Sequence, residues 1–261
     1  MSDDSAIGSV RLDRSGAITF LTFDRPAARN SMTGRMYEEL EAGLDRIADD
    51  GGIRVVVLRG ANGSFVAGTD IAGFTTFRSG EDGLRYEHRI DDVVGRLEAL
   101  PMPTVAVVEG FAAGAGLLFA AACDLRICTP DVRFGAPIAR TVGNCLSIAS
   151  TARLIAHLGV SLTKRILLNA DFLSSTEALA AGFVLEVVEP DGVDERVSAL
   201  CDRLASHAPI TMAAAKEAVR RLVAAGIPDG DDLIRRVYGS SDFREGVAAF
   251  MVKRTPQWKG R

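Results

Sequence analysis

The stretch Val105-Ala-Val-Val-Glu-Gly-Phe-Ala-Ala-Gly-Ala-Gly-Leu-Leu-Phe-Ala-Ala-Ala-Cys-Asp124 holds residues that can bind a developing negative charge without using a side chain. A β-branched run at 105–108 leads into Gly110, Gly114 and Gly116, and then into the apolar segment 117–122. That order predicts a buried strand, a tight turn and the start of a buried helix. The first turn of a helix presents unbonded N–H groups and the positive end of the backbone dipole. The chemistry expected at this turn is therefore the holding of an oxyanion by main-chain amides. Thr69, directly after Gly68, sits at a second turn of the same kind.

The polar side chains nearby carry plainer readings. Asp70 is a candidate acid, although Asp before a short helical segment is commonly a cap. Glu109 precedes the glycine turn, and Asp124 closes the helix after it; both read as structural. His88, between Glu87 and Arg89 on an amphipathic segment, reads as a solvated histidine. The order Gly114-Ala-Gly-Leu-Leu-Phe119 starts like a dinucleotide fingerprint but has Phe at the third glycine position. Four cysteines (Cys123, Cys128, Cys145, Cys201) and three histidines (His88, His157, His207) show no metal-ligand spacing, so no metal is expected. The thiols read as reduced.

Periodicity places elements around these turns. Paired strands are expected at 10–12 and 17–23, and a helix from a cap at Ser31 or Thr33 to about 48. A strand at 54–59 and a strand-to-loop passage at 64–74 follow, then a helix at 82–99 ended by Pro101 and Pro103. Beyond Asp124 come a strand at 125–128, a loop at 134–146 and helices at 148–157 and 162–168. Ser174-Ser-Thr-Glu177 has the form of a capping box, and 183–188 reads as the last strand. From about 193 onward the chain reads as helical. The α/β pattern divides into a core, 1–195, and a helical region, 196–261.

With 261 residues and 48% hydrophobic composition the chain can bury a large core. A net charge of −4 speaks against a nucleic-acid or anionic-membrane surface. The uncharged segment 110–123 is shorter than the roughly 20 residues a membrane span needs. The acidic start Met1-Ser-Asp-Asp-Ser has no apolar signal region after it, so a cytoplasmic location is expected.

Three segments resemble the crotonase superfamily, the enoyl-CoA hydratase/isomerase family. They are Ser64-Phe-Val-Ala-Gly-Thr-Asp-Ile71, Pro103-Thr-Val-Ala-Val-Val-Glu-Gly-Phe-Ala-Ala-Gly-Ala-Gly116 with Cys123-Asp124, and Ser241-Asp-Phe-Arg-Glu-Gly-Val-Ala-Ala-Phe-Met-Val-Lys-Arg254. Asp24-Arg-Pro26, Phe134-Gly135, Leu179-Ala-Ala-Gly182 and Ala215-Lys-Glu217 fall in the matching order, and the similarity spans about 8–258. The resemblance implies a spiral of ββα units with a C-terminal helical trimerisation region, assembled as a homotrimer or dimer of trimers. It implies an acyl-CoA thioester as substrate, with coenzyme A part of that substrate and no separate cofactor. The thioester oxygen would be held by the N–H groups of Thr69 and Ala115, the residues after Gly68 and Gly114. Ala27, Ala28, Ala67, Thr69, Asp70 and Ile71 would contact the CoA, and Phe250 and Lys253 would close over it. Arg25 fits a loop-stabilising salt bridge as well as a CoA contact.

Two positions depart from the family pattern. Where its hydratases carry two glutamates, this chain has Leu118 and Ile138. A positioned acid or base is worth about 10²–10⁴ in rate, so hydration is expected to be poor. The following loop offers Arg140, Thr141, Asn144, Cys145 and Ser147 instead. Asn144 can polarise a carbonyl or position water, Cys145 can act as nucleophile, acid or plain buried thiol, and Arg140 can pair with an acyl carboxylate or hold the loop. The leading expectation is an enolate-stabilising acyl-CoA enzyme whose reaction is hydration, isomerisation, decarboxylation or thioester hydrolysis. The alternative is a non-catalytic acyl-CoA-binding scaffold of the same fold.

Overall fold

Buried β-branched strands and amphipathic helices alternate along the chain, and in a computed structural model they close into a spiral. The structure describes residues 8–226 and 231–258; the acidic start at 1–5 and the last three residues of the expected helical region lie outside these. Strands β1 (Ser9–Ser15) and β2 (Ile18–Asp24) form an antiparallel hairpin with Ser15 opposite Ile18. Helix α1 (Gly34–Asp49) starts where the Thr33 side chain accepts from Met36 N–H. Next come β3 (Val55–Gly60), α2 (Gly80–Ala99), β4 (Thr104–Val108), β5 (Phe111–Ala113), α3 (Ala115–Ala122), β6 (Leu125–Cys128) and β7 (Arg133–Gly135). The short α4 (Ile138–Thr141) and α5 (Ile148–Leu168), broken at Gly159, precede β8 (Phe172–Ser174), α6 (Ser175–Ala180) and β9 (Glu186–Val187). Helices α7 (Val193–Ser206), α8 (Pro209–Ala224), α9 (Asp231–Tyr238) and α10 (Ser241–Met251) follow.

The large sheet runs β1-β2-β3-β4-β6-β9, parallel after the first hairpin, and the small sheet runs β5-β7-β8. Midway along the chain one turn of the spiral adds a strand to the large sheet, then a short one to the small layer, then a helix, as in β4–β5–α3. The large sheet is covered on both faces, which is why its central strands read as continuous apolar runs. Val56, Leu58, Ala106 and Val108 pack with α1, α2 and α3. Val55, Val57, Val105, Val107 and Ile127 face Val193, Val197, Leu200, Cys201 and Leu204 of α7. A third cluster, with Phe74, Leu84, Ile234, Tyr238, Phe243 and Val247, ties α9 and α10 to α2.

The structure revises three local expectations. Residues 64–69 form no strand, because their bonds change partner: Phe65 N donates to Glu109 O and Val66 N to Phe111 O, but Ala67 N turns to Arg29 O. Residues 71–76 then make a 3₁₀ helix capped by Asp70. The expected loop at 134–146 contains β7 and α4, and the last strand shrinks to β9. Strand β8, three residues with only Leu173 buried, carries too little pattern to be read in advance.

Helix α3 is buried along its whole length, and its end is secured by charge. The buried Arg126 guanidinium donates to Ala120 O (3.0 Å) and Cys123 O (2.5 Å), satisfying carbonyls that the helix end leaves free. Asp124 accepts from Thr104 N (2.7 Å) and Lys216 Nζ (2.8 Å), as its structural reading anticipated. No helix among the described residues is long and apolar enough to cross a membrane.

Candidate active site

The two glycine turns meet. Gly68 has φ +115° and Gly114 has φ +52° with ψ −115°, conformations that side-chain-bearing residues rarely adopt. A Cβ on Gly114 would lie 3.8 Å from Gly68 Cα, so the two turns face each other across a gap that one methyl group would span. Ala113 N donates to Val66 O (3.0 Å) and Gly114 N to Gly135 O (2.9 Å), which pins the second turn against the first. Around Thr69, Met32 N donates to Gly68 O and Asp70 N to Met32 O, both at 2.8 Å. These bonds skip the Thr69 N–H, and Ala115 opens α3, where an N–H has no intrahelical partner. Among the described residues neither N–H has a protein acceptor.

Thr69 is anchored from its other side. Its Oγ1 lies 2.6 Å from the Tyr37 hydroxyl and 2.7 Å from the Tyr86 hydroxyl. Burial raises the proton affinity of both phenols, so both stay neutral and the cluster is a hydrogen-bonded brace. Sequence reasoning named neither tyrosine.

A cavity of about 650 Å³ opens at the paired turns. Gly68, Thr69, Gly114 and Ala115 border it, and so do Ala27, Ala28, Ala67, Asp70 and Ile71 on the side of the first turn. Phe250 and Lys253, from the end of α10 and just beyond, border it too. Leu118 and Ile138 are in its wall together with Ile90 and Leu146, which makes that part apolar. Asp70 is committed elsewhere: its carboxylate accepts from Ala72 N (3.0 Å) and pairs with Arg25 Nη1 (2.8 Å). Arg25 thereby serves the loop.

The loop residues separate. Asn144 borders the cavity, whereas Arg140 and Cys145 are not in its wall. Arg140 is exposed on α4, whose Ile138 and Thr141 turn inward instead. Cys145 packs with the aromatic cluster of α9 and α10. Burial, reinforced by the nearby Glu87 carboxylate, pushes its thiol up to about 12. A thiol held protonated in this way is a poor nucleophile. His88 lies outside the wall, on the exposed side of α2, with Nε2 3.0 Å from Asp231.

The residue beside it is the one the site holds. Glu87 is 1% exposed, yet it is among the residues that line the cavity. Tyr238 Oη donates to Glu87 Oε1 at 2.5 Å, and Ser147 N donates to Oε2 at 3.0 Å. Asn144 Nδ2 in turn donates to Tyr238 Oη at 3.1 Å. Burial pushes the Glu87 carboxyl up to about 8, with the two hydrogen bonds opposing the rise and the Asp91 carboxylate adding to it. One sign of Glu87 was available in advance. It falls three residues after Leu84 and three before Ile90, on the apolar stripe of α2, where a carboxyl has no surface reason to be.

A layered α/β spiral with a cavity bordered by two main-chain donors and a buried acid is the arrangement of a small-molecule enzyme. Comparisons with known proteins agree. A family model described as enoyl-CoA hydratase/isomerase matches residues 13–261. The 2,3-dehydroadipyl-CoA hydratase of Escherichia coli (strain K12) is 32% identical over 254 residues, 96% of this chain and 98% of that protein. The structure of an enoyl-CoA hydratase/carnithine racemase from Magnetospirillum magneticum is similar with TM-score 0.79 and 30% identity, covering 99% of both chains. A methylmalonyl-CoA decarboxylase in complex with 2S-carboxypropyl-CoA is similar with TM-score 0.88 and 25% identity over 100% of both. The chain belongs to the enoyl-CoA hydratase/isomerase family of the crotonase superfamily and has its acyl-CoA enzyme fold.

Proposed function

We propose that this enzyme binds an acyl-CoA thioester with its carbonyl oxygen between the N–H groups of Thr69 and Ala115, and that it stabilises the enolate formed there. The observation that carries this reading is the pair of facing glycine turns, each followed by an N–H without a protein acceptor at the cavity. Preorganised donors of this kind contribute most where negative charge develops in the transition state. The CoA portion would lie along Ala27, Ala28, Ala67, Asp70 and Ile71, with Phe250 covering it and the Lys253 ammonium near phosphate.

The reaction is a proton-transfer or bond-cleaving step through an enolate rather than ordinary hydration. Leu118 and Ile138 offer no group to activate or deliver water. The same two residues favour the second reading, a scaffold that binds acyl-CoA without turning it over. Replacing Ala115 with Pro removes one donor at a first helical position, which tolerates Pro. Turnover of the preferred acyl-CoA is expected to fall about 10²–10³-fold with free-CoA affinity retained. Unchanged turnover overturns the oxyanion reading, and binding without turnover across an acyl-CoA panel favours the scaffold. Crotonyl-CoA hydration, followed by enoyl absorbance, is expected to be slow and to rise in a Leu118→Glu, Ile138→Glu double variant. Hydration at ordinary enzyme rates by the unaltered protein overturns the role given to these two positions.

We also propose the homotrimer, or a dimer of trimers, as the working assembly. Ile210, Val219 and Leu222 on α8 are apolar and largely exposed in the single chain. Light scattering is expected to give a multiple of three chains; a monomer overturns this.

A further inference from the structure

We propose that Glu87 is the acid–base group of this site, exchanging a proton with the acyl chain of the bound thioester, and that Tyr238 is its positioning residue. The proposal rests on the enolate reading above and adds the group that forms and quenches the enolate. Two acidic residues, Asp70 and Glu87, line the cavity. Asp70 is held by Arg25 and by a main-chain N–H, which leaves Glu87, beside Ile90 and Leu146 in the apolar part.

Its surroundings suit proton exchange. Each Glu87 oxygen accepts one hydrogen bond, from Tyr238 or from Ser147 N–H. Each keeps a second lone pair for a proton. The groups around it are Tyr86 and Asp91 on α2, Asn144, Cys145 and Ser147 before α5, Tyr238 on α9 and Tyr37 on α1. No cation is among those that shift its proton affinity. Asp91 accepts from the hydroxyls of Ser147 (2.7 Å) and Ser150 (2.9 Å), which fixes the loop that supplies the N–H. A carboxyl poised near neutral pH can act in both directions.

The step balances without a further reactant. The Glu87 carboxylate takes a proton from the acyl Cα. The C–H electron pair becomes the enolate C=C, and the carbonyl π pair moves onto the oxygen held by Thr69 and Ala115. Protonated Glu87 then returns the proton to Cα, or to Cγ when a 3,4 double bond has conjugated with the enolate. The thioester carbonyl reforms in either case.

The probes are butyryl-CoA and 3-butenoyl-CoA in deuterium oxide, with deuterium uptake read by mass spectrometry. The unaltered enzyme is expected to label at least one. Glu87→Gln is expected to label it about 10²–10⁴-fold more slowly. The Gln side chain can accept from Ser147 N–H through its oxygen and donate to the Tyr238 oxygen through its NH2, so probe affinity by calorimetry is expected to stay within about twofold. Labelling is expected to rise with pH and level off above about 8. Tyr238→Phe removes a bond that favours the charged carboxylate, so the rising limb is expected to move to higher pH.

Labelling by Glu87→Gln at the unaltered rate, while Ala115→Pro is impaired, overturns the role of Glu87 and leaves the enolate reading standing. Loss of probe binding in Glu87→Gln also overturns it, in favour of a structural role. A pH limb that stays in place or moves down in Tyr238→Phe overturns the positioning role. Failure of the unaltered enzyme to label either probe overturns the proposal together with the enolate reading.

Discussion

Glu87 and Glu177 carry the same carboxyl group, and each accepts a main-chain N–H at 3.0 Å, from Ser147 and Ser174 respectively. Their proton affinities part in opposite directions. Glu177 closes the capping box of α6, has Arg165 Nη1 at 2.6 Å and is open to water; the N–H bond and then Arg165 hold it down at about 2. Glu87 is buried, has a neutral phenol in place of a guanidinium and has Asp91 nearby, so it rises to about 8. One hydrogen bond from the backbone therefore does not decide a carboxyl's behaviour. Burial without a cation does, and it converts a cap-like group into a candidate for proton transfer.

The largest test of this contrast is the pH dependence of stability. Glu87 binds its proton more tightly folded than unfolded, so its contribution is complete below its ordinary value of 4.5 and is lost as pH rises through about 8. The loss across that window is roughly 5 kcal/mol. Urea unfolding at pH 5 and pH 8.5 is expected to show a fall of this order in the unaltered protein and a much flatter profile in Glu87→Gln. Equal slopes break the comparison.

Glu177 has the opposite sign. Its lowered proton affinity stabilises the fold above about 4.5 and the benefit fades as pH falls through about 2. Glu177→Gln is expected to cost about 1 kcal/mol at pH 7, as loss of a helix cap does, and nearly nothing at pH 2. Thermal melts at the two pH values check this.

Cys145 reports on Glu87 from a third position. Its thiol, at about 12, is expected to resist iodoacetamide in the folded protein at pH 8, and to react somewhat faster in Glu87→Gln, where a neighbouring charge is gone. Mass spectrometry of the alkylated protein reads this. The smallest expected effect is that of Arg140→Ala. Arg140 is exposed and outside the cavity wall, so acyl-CoA affinity by calorimetry should stay within about twofold.

What could be read from the chain alone follows from how local each signal is. Gly114 and Gly116 announce a turn because the glycines, the preceding strand and the following apolar helix are consecutive. The helices α1 and α2 announce themselves by apolar spacing, and Ser174 with Glu177 by a four-residue motif. Residues 64–69 misled because their hydrogen bonds change partner midway, from 109–111 to 29, and no local pattern records that. His88 is exposed, as its place between Glu87 and Arg89 suggests, whereas its neighbour Glu87 is buried. Glu87 gains its meaning from Tyr238, 151 positions away, and from Ser147, 60 positions away. Those distances lie beyond any periodicity.

Tyr238, Phe250 and Lys253 all reach the cavity or its acid from the last part of the chain. A ribosome making this protein therefore finishes both glycine turns and Glu87 long before the residues that complete the site. Until Tyr238 has emerged and α9 has docked on α2, the acid lacks one of its two partners. On the roles proposed above, a chain without α9 would still pair the Thr69 and Ala115 N–H groups but would leave Glu87 with the Ser147 N–H alone.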